Sequence, residues 1–159
     1  MISEISKGLF LGNHETIRDR KLFDSHKITH VLYIGNETTE AEKSRAIWKT
    51  IRVNTDCCLS ISKYFSPCNE YIKSVLKSNK NILVCCESGE CLAPAFIIAY
   101  IMSYKSSTFA QAFEFVKNKH PCIKQSPEII SQLREYQNFV LSRQKRKFQD
   151  IEIKKCFIF

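Results

Sequence analysis

The sequence predicts an α/β fold: a single domain with a central, mostly parallel sheet flanked by helices. Short apolar runs rich in β-branched residues alternate with longer segments of helical periodicity, the pattern of strands joined through covering helices. One such run, Ile82-Leu83-Val84, is too brief for a helix and leads through a tight turn into a nearly all-apolar segment, Leu92 to Tyr104, long enough for a helix packed on several faces. The length of 159 residues, with 44% hydrophobic and 25% charged content, is most simply one domain with a proper core.

Taken in order, Ile5 to Gly12 alternates like an opening strand and ends on a turn glycine. His14 to His26 is helix-compatible. Ile28 to Ile34 is a β-branched strand ended by Gly35-Asn36, and His30 within it has no partner at ligand spacing, so it reads as a structural histidine. Glu37 to Ala46 is charged and exposed, a loop with a helix, and Trp48 to Val53 is a third strand. Ser60 to Ser78 suits a helix with Ser60 as N-cap, apolar positions Tyr64, Phe65, Tyr71, Ile72, Val75 and Leu76, and an early kink or restart at Pro67. After the central turn, Thr108 and Gln111 make a capping box for a helix that His120-Pro121 stops. Ser126-Pro127-Glu128 starts the last helix, with Ile129, Ile130, Leu133, Tyr136, Phe139 and Val140 as a core stripe.

Several classes are set aside by composition. No stretch approaches the ~20 apolar residues that cross a bilayer, and Met1-Ile2-Ser3-Glu4 has neither the basic nor the apolar region of a signal peptide. Eight cysteines, including the adjacent pairs Cys57-Cys58 and Cys85-Cys86, do not form a disulfide framework in a chain of this length. There is no C-x-x-C pair, so neither a metal nor a cofactor is expected. These features favour a reducing cytoplasm, with the nucleus as the alternative.

The chemistry is concentrated in the turn Cys86-Glu87-Ser88-Gly89-Glu90-Cys91. A strand, a tight loop and a helix N-terminus make an anion cradle, because successive backbone N–H groups point inward and the helix dipole adds positive partial charge. Cys86 there is expected to have a depressed pKa and to act as a nucleophile toward phosphate-like substrates. The stretch resembles the dual-specificity branch of the protein tyrosine phosphatases, whose signature is His-Cys-x-x-Gly-x-x-Arg-Ser, and the resemblance extends roughly from Ile5 to Phe139. Here the signature reads Cys85-Cys86-Glu87-Ser88-Gly89-Glu90-Cys91-Leu92-Ala93, keeping the nucleophile and the glycine and departing at the other three defining positions.

The resemblance implies that Leu92 stands where an arginine grips two phosphate oxygens and stabilises transition-state charge. By analogy with other charge-stabilising groups, that loss costs on the order of several kcal/mol of barrier, roughly a thousandfold. It also implies that Cys85 replaces a loop-positioning histidine and Ala93 a hydroxyl that helps the thiolate leave. Glu87 is expected to face outward and Glu90 to add repulsion. The family's general-acid slot falls on Thr55; Asp56 lies one residue later, 30 before Cys86. A small loop adjustment brings Asp56 into the acid role, and the same residue reads equally as an exposed loop aspartate.

Residues 1–142 form the phosphatase-like domain and 143–159 a basic tail. Residues 143–155 carry six basic and two acidic side chains, a net of four positive charges out of the chain's formal +8. Cys156-Phe157-Ile158-Phe159 fits the C-a-a-X pattern with a geranylgeranyl-type last residue, and one subfamily with this resemblance is prenylated. A prenyl group on Cys156 beside a polybasic run is the two-signal arrangement that holds a protein on an anionic membrane surface; the alternative is a chance match after a solvated helix end. The run also suits nuclear import, but without interleaved aromatics nucleic acid is not an expected partner. The leading expectation is therefore a catalytically impaired phosphatase-like module that binds a phosphoprotein or other protein partner in signalling. Its alternatives are a protein phosphatase with residual activity through Cys86, and a redox-responsive thiol protein built on Cys85, Cys86 and Cys91.

Overall fold

The computed structural model describes residues 1–36, 45–53 and 60–156. The opening segment is a hairpin, β1 (Ile2–Ser6) antiparallel to β2 (Leu9–Asn13), and not one strand. The turn glycine is Gly8, at φ +80, while Gly12, expected to end the strand, lies inside β2. Asn13 caps the next helix through a box with Thr16: Asn13 Oδ1 accepts from the Thr16 N–H (3.1 Å) and Thr16 Oγ1 from the Asn13 N–H (3.2 Å). The segment read as one helix is two, α1 (His14–Arg18) and α2 (Arg20–Ser25). Asp19 leaves helical geometry and caps the second by accepting from the Lys21 and Leu22 N–H groups.

Strand β3 (Ile28–Ile34) has the expected bounds, and β4 is Ile47–Ile51. The expected loop and helix over Glu37 to Ala46 falls largely outside the described residues. A short 3-10 turn, Ser62–Tyr64, leads into α3 (Phe65–Lys77). Pro67 sits in the first turn of α3, where its missing N–H has no intrahelical partner to lose, so the irregularity lies ahead of it. Ser60 is not the cap. Gln132, from the last helix, receives the Ile61 and Ser62 N–H groups on Oε1 at 2.8 and 3.1 Å. A long-range partner of this kind leaves no local sequence signal.

The remaining elements are β5 (Asn81–Cys86), α4 (Leu92–Lys105), α5 (Phe109–Lys119) and α6 (Pro127–Cys156). The Thr108–Gln111 capping box is formed, and Ser126 Oγ accepts the Ile129 N–H. The sheet order is β1-β2-β5-β3-β4, with every pairing parallel except β1 to β2. Because side chains alternate along a strand, β5 serves two cores. Ile82, Val84 and Cys86 join the larger one with α3 to α6, while Leu83 and Cys85 join a smaller one with Phe10, Ile17, Phe23, Val31 and Tyr33. Every residue of α4 from Leu92 to Met102 is buried, which is why that helix reads as apolar all round.

In α6, Ile129, Leu133, Tyr136 and Val140 are buried as expected, but Phe139 is exposed. The helix continues without a break across residue 143, so the basic segment differs in composition and not in backbone. Its Phe148, Ile151 and Ile153 are exposed. No described helix is long and apolar enough to cross a membrane.

Candidate functional site

The carboxyl ends of β2, β5 and β3 lie side by side, at the point in an open α/β sheet where ligands bind. Cys86 is the last residue of β5, buried, and paired with Asn13 of β2. The chain then turns through Glu87 to Cys91 and enters α4 at Leu92. Cys86 Sγ accepts two backbone N–H groups, from Gly89 at 3.3 Å and from Ala93 at 3.4 Å. Both donors and the α4 N-terminus direct positive partial charge at the sulfur. Gly89 holds the turn at φ +73; a Cβ there would lie 2.9 Å from the Gly12 carbonyl oxygen.

Two neighbouring segments fix the loop by donating to its main-chain carbonyls. The His14 N–H donates to the Glu87 carbonyl (3.2 Å), the Lys124 N–H to the Glu90 carbonyl (2.7 Å), and Gln125 Nε2 to the Cys91 carbonyl (2.8 Å). Inside the loop, the Glu90 N–H donates to Ser88 Oγ.

The cradle opens onto a cavity of about 780 Å³ lined by His14, Tyr33, Ile34, Gly35, Asn36, Cys86, Glu87, Ser88, Cys91 and Leu92. Among these described residues none is a lysine or arginine, and Leu92 is an aliphatic wall continuous with the larger core. Glu87 is exposed, as expected, and lies at the cavity, whereas Glu90, expected to repel an anion, is turned to Lys124, Oε2 to Nζ 3.1 Å, and is not part of the lining. The cation on the neighbouring loop pairs with Glu90 and so partly offsets the charge it would set against an anion in the cradle.

Of the residues picked from sequence, Cys86, Glu87, Ser88, Cys91 and Leu92 meet at the cavity, and Gly89 supports it from behind. Cys85 points into the smaller core. Asp56 and Thr55 lie outside the described residues. Cys156 ends α6, and residues 157–159 lie outside the described residues. His14, Tyr33 and Asn36 were missed. Their rings or backbones arrive from the ends of β2 and β3, with His14 and Tyr33 edge to face at 6.1 Å, and nothing local in the sequence links position 14 to position 87. Elsewhere His30 is the structural residue expected, its Nδ1 2.9 Å from Thr29 Oγ1 and its ring against Tyr71. Cys68, Cys85, Cys86, Cys91 and Cys122 are not in disulfides, and burial pushes the Cys68 thiol up to about 11.

A family model described as the dual specificity phosphatase catalytic domain matches residues 9–139. The chain belongs to the dual specificity phosphatase family. Mouse dual specificity protein phosphatase 19 is 32% identical over 136 residues, which is 86% of this chain and 62% of that protein, so the chain spans less than two thirds of this relative. Among solved structures, a human tyrosine phosphatase-like serine/threonine/tyrosine-interacting protein superposes with a TM-score of 0.81 at 25% identity, covering 88% of this chain and 97% of the other. Human DUSP28 does so with a TM-score of 0.81 at 18% identity, covering 88% and 95%, a likeness of fold alone. The mostly parallel α/β sheet flanked by helices is thus the fold of this dual specificity phosphatase relative.

Proposed function

We propose that this dual specificity phosphatase relative is catalytically impaired and acts as a binding module in phospho-signalling, recognising a phosphoprotein or another protein partner. The observation that carries the reading is Leu92. It opens α4 where the family signature has arginine, and no lysine or arginine among the described lining residues takes its place. Phosphate in this cradle meets backbone N–H groups and one exposed carboxylate, Glu87, without a fork of charged donors to hold the equatorial oxygens of a transferring phosphoryl group. The likeness to the human tyrosine phosphatase-like serine/threonine/tyrosine-interacting protein supports the same direction. The proposal extends to location: the basic end of α6 supports an association with an anionic cytoplasmic membrane surface.

A second reading, residual phosphatase activity, is favoured by the pair of N–H groups on Cys86 Sγ, which keeps the nucleophile in its cradle. Hydrolysis of a small aryl phosphate by the purified protein beside Cys86→Ser separates the two. Equal, background-level rates are expected. Turnover that disappears in Cys86→Ser overturns the binding-module reading in favour of an enzyme.

A further inference from the structure

A second thiol site lies behind the phosphate loop, outside the cavity. His120, the residue that caps the C-terminus of α5, is only 2% exposed. Its Nδ1 is 2.8 Å from Ser3 Oγ on β1, its Nε2 is 3.0 Å from Cys122 Sγ, and its ring also meets the Gly89 backbone. The imidazole is therefore fixed between β1, the phosphate loop and the segment leading to α6. Cys122 is only half-buried, and its sulfur lies against the ring on one side and 3.9 Å from Met1 Sδ on another. By contrast, Cys68 and Cys85 are fully enclosed. We propose that the Cys122–His120 pair is a thiol-modification site that reacts with low-molecular-weight disulfides of the glutathione type.

The chemistry follows from the contact. Burial lowers the basicity of His120, so the ring is a neutral imidazole at physiological pH. A neutral ring at hydrogen-bond distance takes the Cys122 thiol proton at Nε2 as the sulfur attacks, the nucleophile-and-base arrangement with Ser3 orienting the base. The Cys122 thiolate attacks one sulfur of the disulfide, the mixed S–S bond forms as the original S–S bond breaks, and the departing thiolate takes the proton. The disulfide is the sole oxidant.

The test uses the full chain and oxidised glutathione, with modification rates read residue by residue by mass spectrometry. Native Cys122 is expected to react at least ~10-fold faster than the same residue in the urea-unfolded chain. His120→Gln is expected to bring Cys122 back to the unfolded rate while the rate at Cys91, in the phosphate loop, stays as it was. A native Cys122 no faster than the unfolded one overturns the proposal, and this comparison needs no variant to fold. A Cys122 rate unaffected in folded His120→Gln overturns it too, as does a parallel change at Cys91, which reports general loosening.

Discussion

The conformation of Gly89 makes a quantitative demand on the phosphate loop. At φ +73, alanine in place of glycine costs about 1–2 kcal/mol from its own Cβ. The added carbon would also stand 2.9 Å from the Gly12 carbonyl oxygen and 3.1 Å from Asn13 Cβ. Neither neighbour has room to retreat: Gly12 is paired to Cys85 in the parallel β2–β5 ladder, and Asn13 caps α1. Strain and overlap together amount to roughly 2–4 kcal/mol. In a domain of this size each kcal/mol moves Tm by about 2–4 °C. Gly89→Ala is therefore expected to melt roughly 5–15 °C lower by scanning calorimetry. If the loop escapes strain by rotating the Gly89 peptide, the N–H on Cys86 Sγ is lost and the alkylation rate of Cys86 changes instead. A Tm within about 2 °C of the parent together with an unchanged Cys86 alkylation rate refutes the loop geometry.

Leu92→Arg is expected to tighten inorganic phosphate binding by roughly 10–100-fold in calorimetric titration, since it adds charged donors at the cavity wall. Aryl phosphate turnover in that variant is expected to rise less than about tenfold, because Cys85 and Ala93 remain and the acid is unassigned; strong turnover would show that Leu92 is the single lesion. Gln132→Ala removes the acceptor of the Ile61 and Ser62 N–H groups and is expected to cost about 1–3 kcal/mol, visible as a lower urea midpoint. An unchanged midpoint would mean that water replaces the cap. Burial, first among the causes, holds both His30 and His120 below their ordinary value of 6.5. The unfolded chain therefore binds those protons first as pH falls, and stability is lost from about 6.5 downward and flattens below the lowered folded values. The urea midpoint should drop between pH 7.5 and about 5.5, and a rise would refute the burial of these rings.

Elements whose signals are local were legible. The β3 bounds, the all-apolar α4, the Thr108–Gln111 box and the Ser126-Pro127 start depend on residues adjacent in sequence or one turn apart. The misreadings share a physical origin. The opening hairpin hid because Gly12 and Gly8 are both glycines, and which one turns depends on pairing with the rest of the sheet. The Ser60 cap failed because Gln132, 71 residues from Ile61, supplies the acceptor. In the site, the stretch from Cys86 to Leu92 could be read directly, since one turn contains it. Glu90 was misread because Lys124, 34 residues on, captures it, and His14 and Tyr33 reached the cavity through strand order alone.

The loop explains how so degenerate a signature coexists with so complete a fold. Its shape is set by the N–H groups of His14 and Lys124, the Gln125 side-chain amide, and the glycine at φ +73. None of these depends on an arginine at position 92 or a histidine at position 85. Leucine at 92 adds apolar burial to the first turn of α4, where a guanidinium without a bound anion would be costly to enclose. Cys85 likewise fills the smaller core on the opposite face of β5. Leucine at 92 and cysteine at 85 are therefore compatible with the fold without the arginine and histidine of the signature. Selection for a binding surface alone would leave this cradle standing with its sulfur in place and its charge gone.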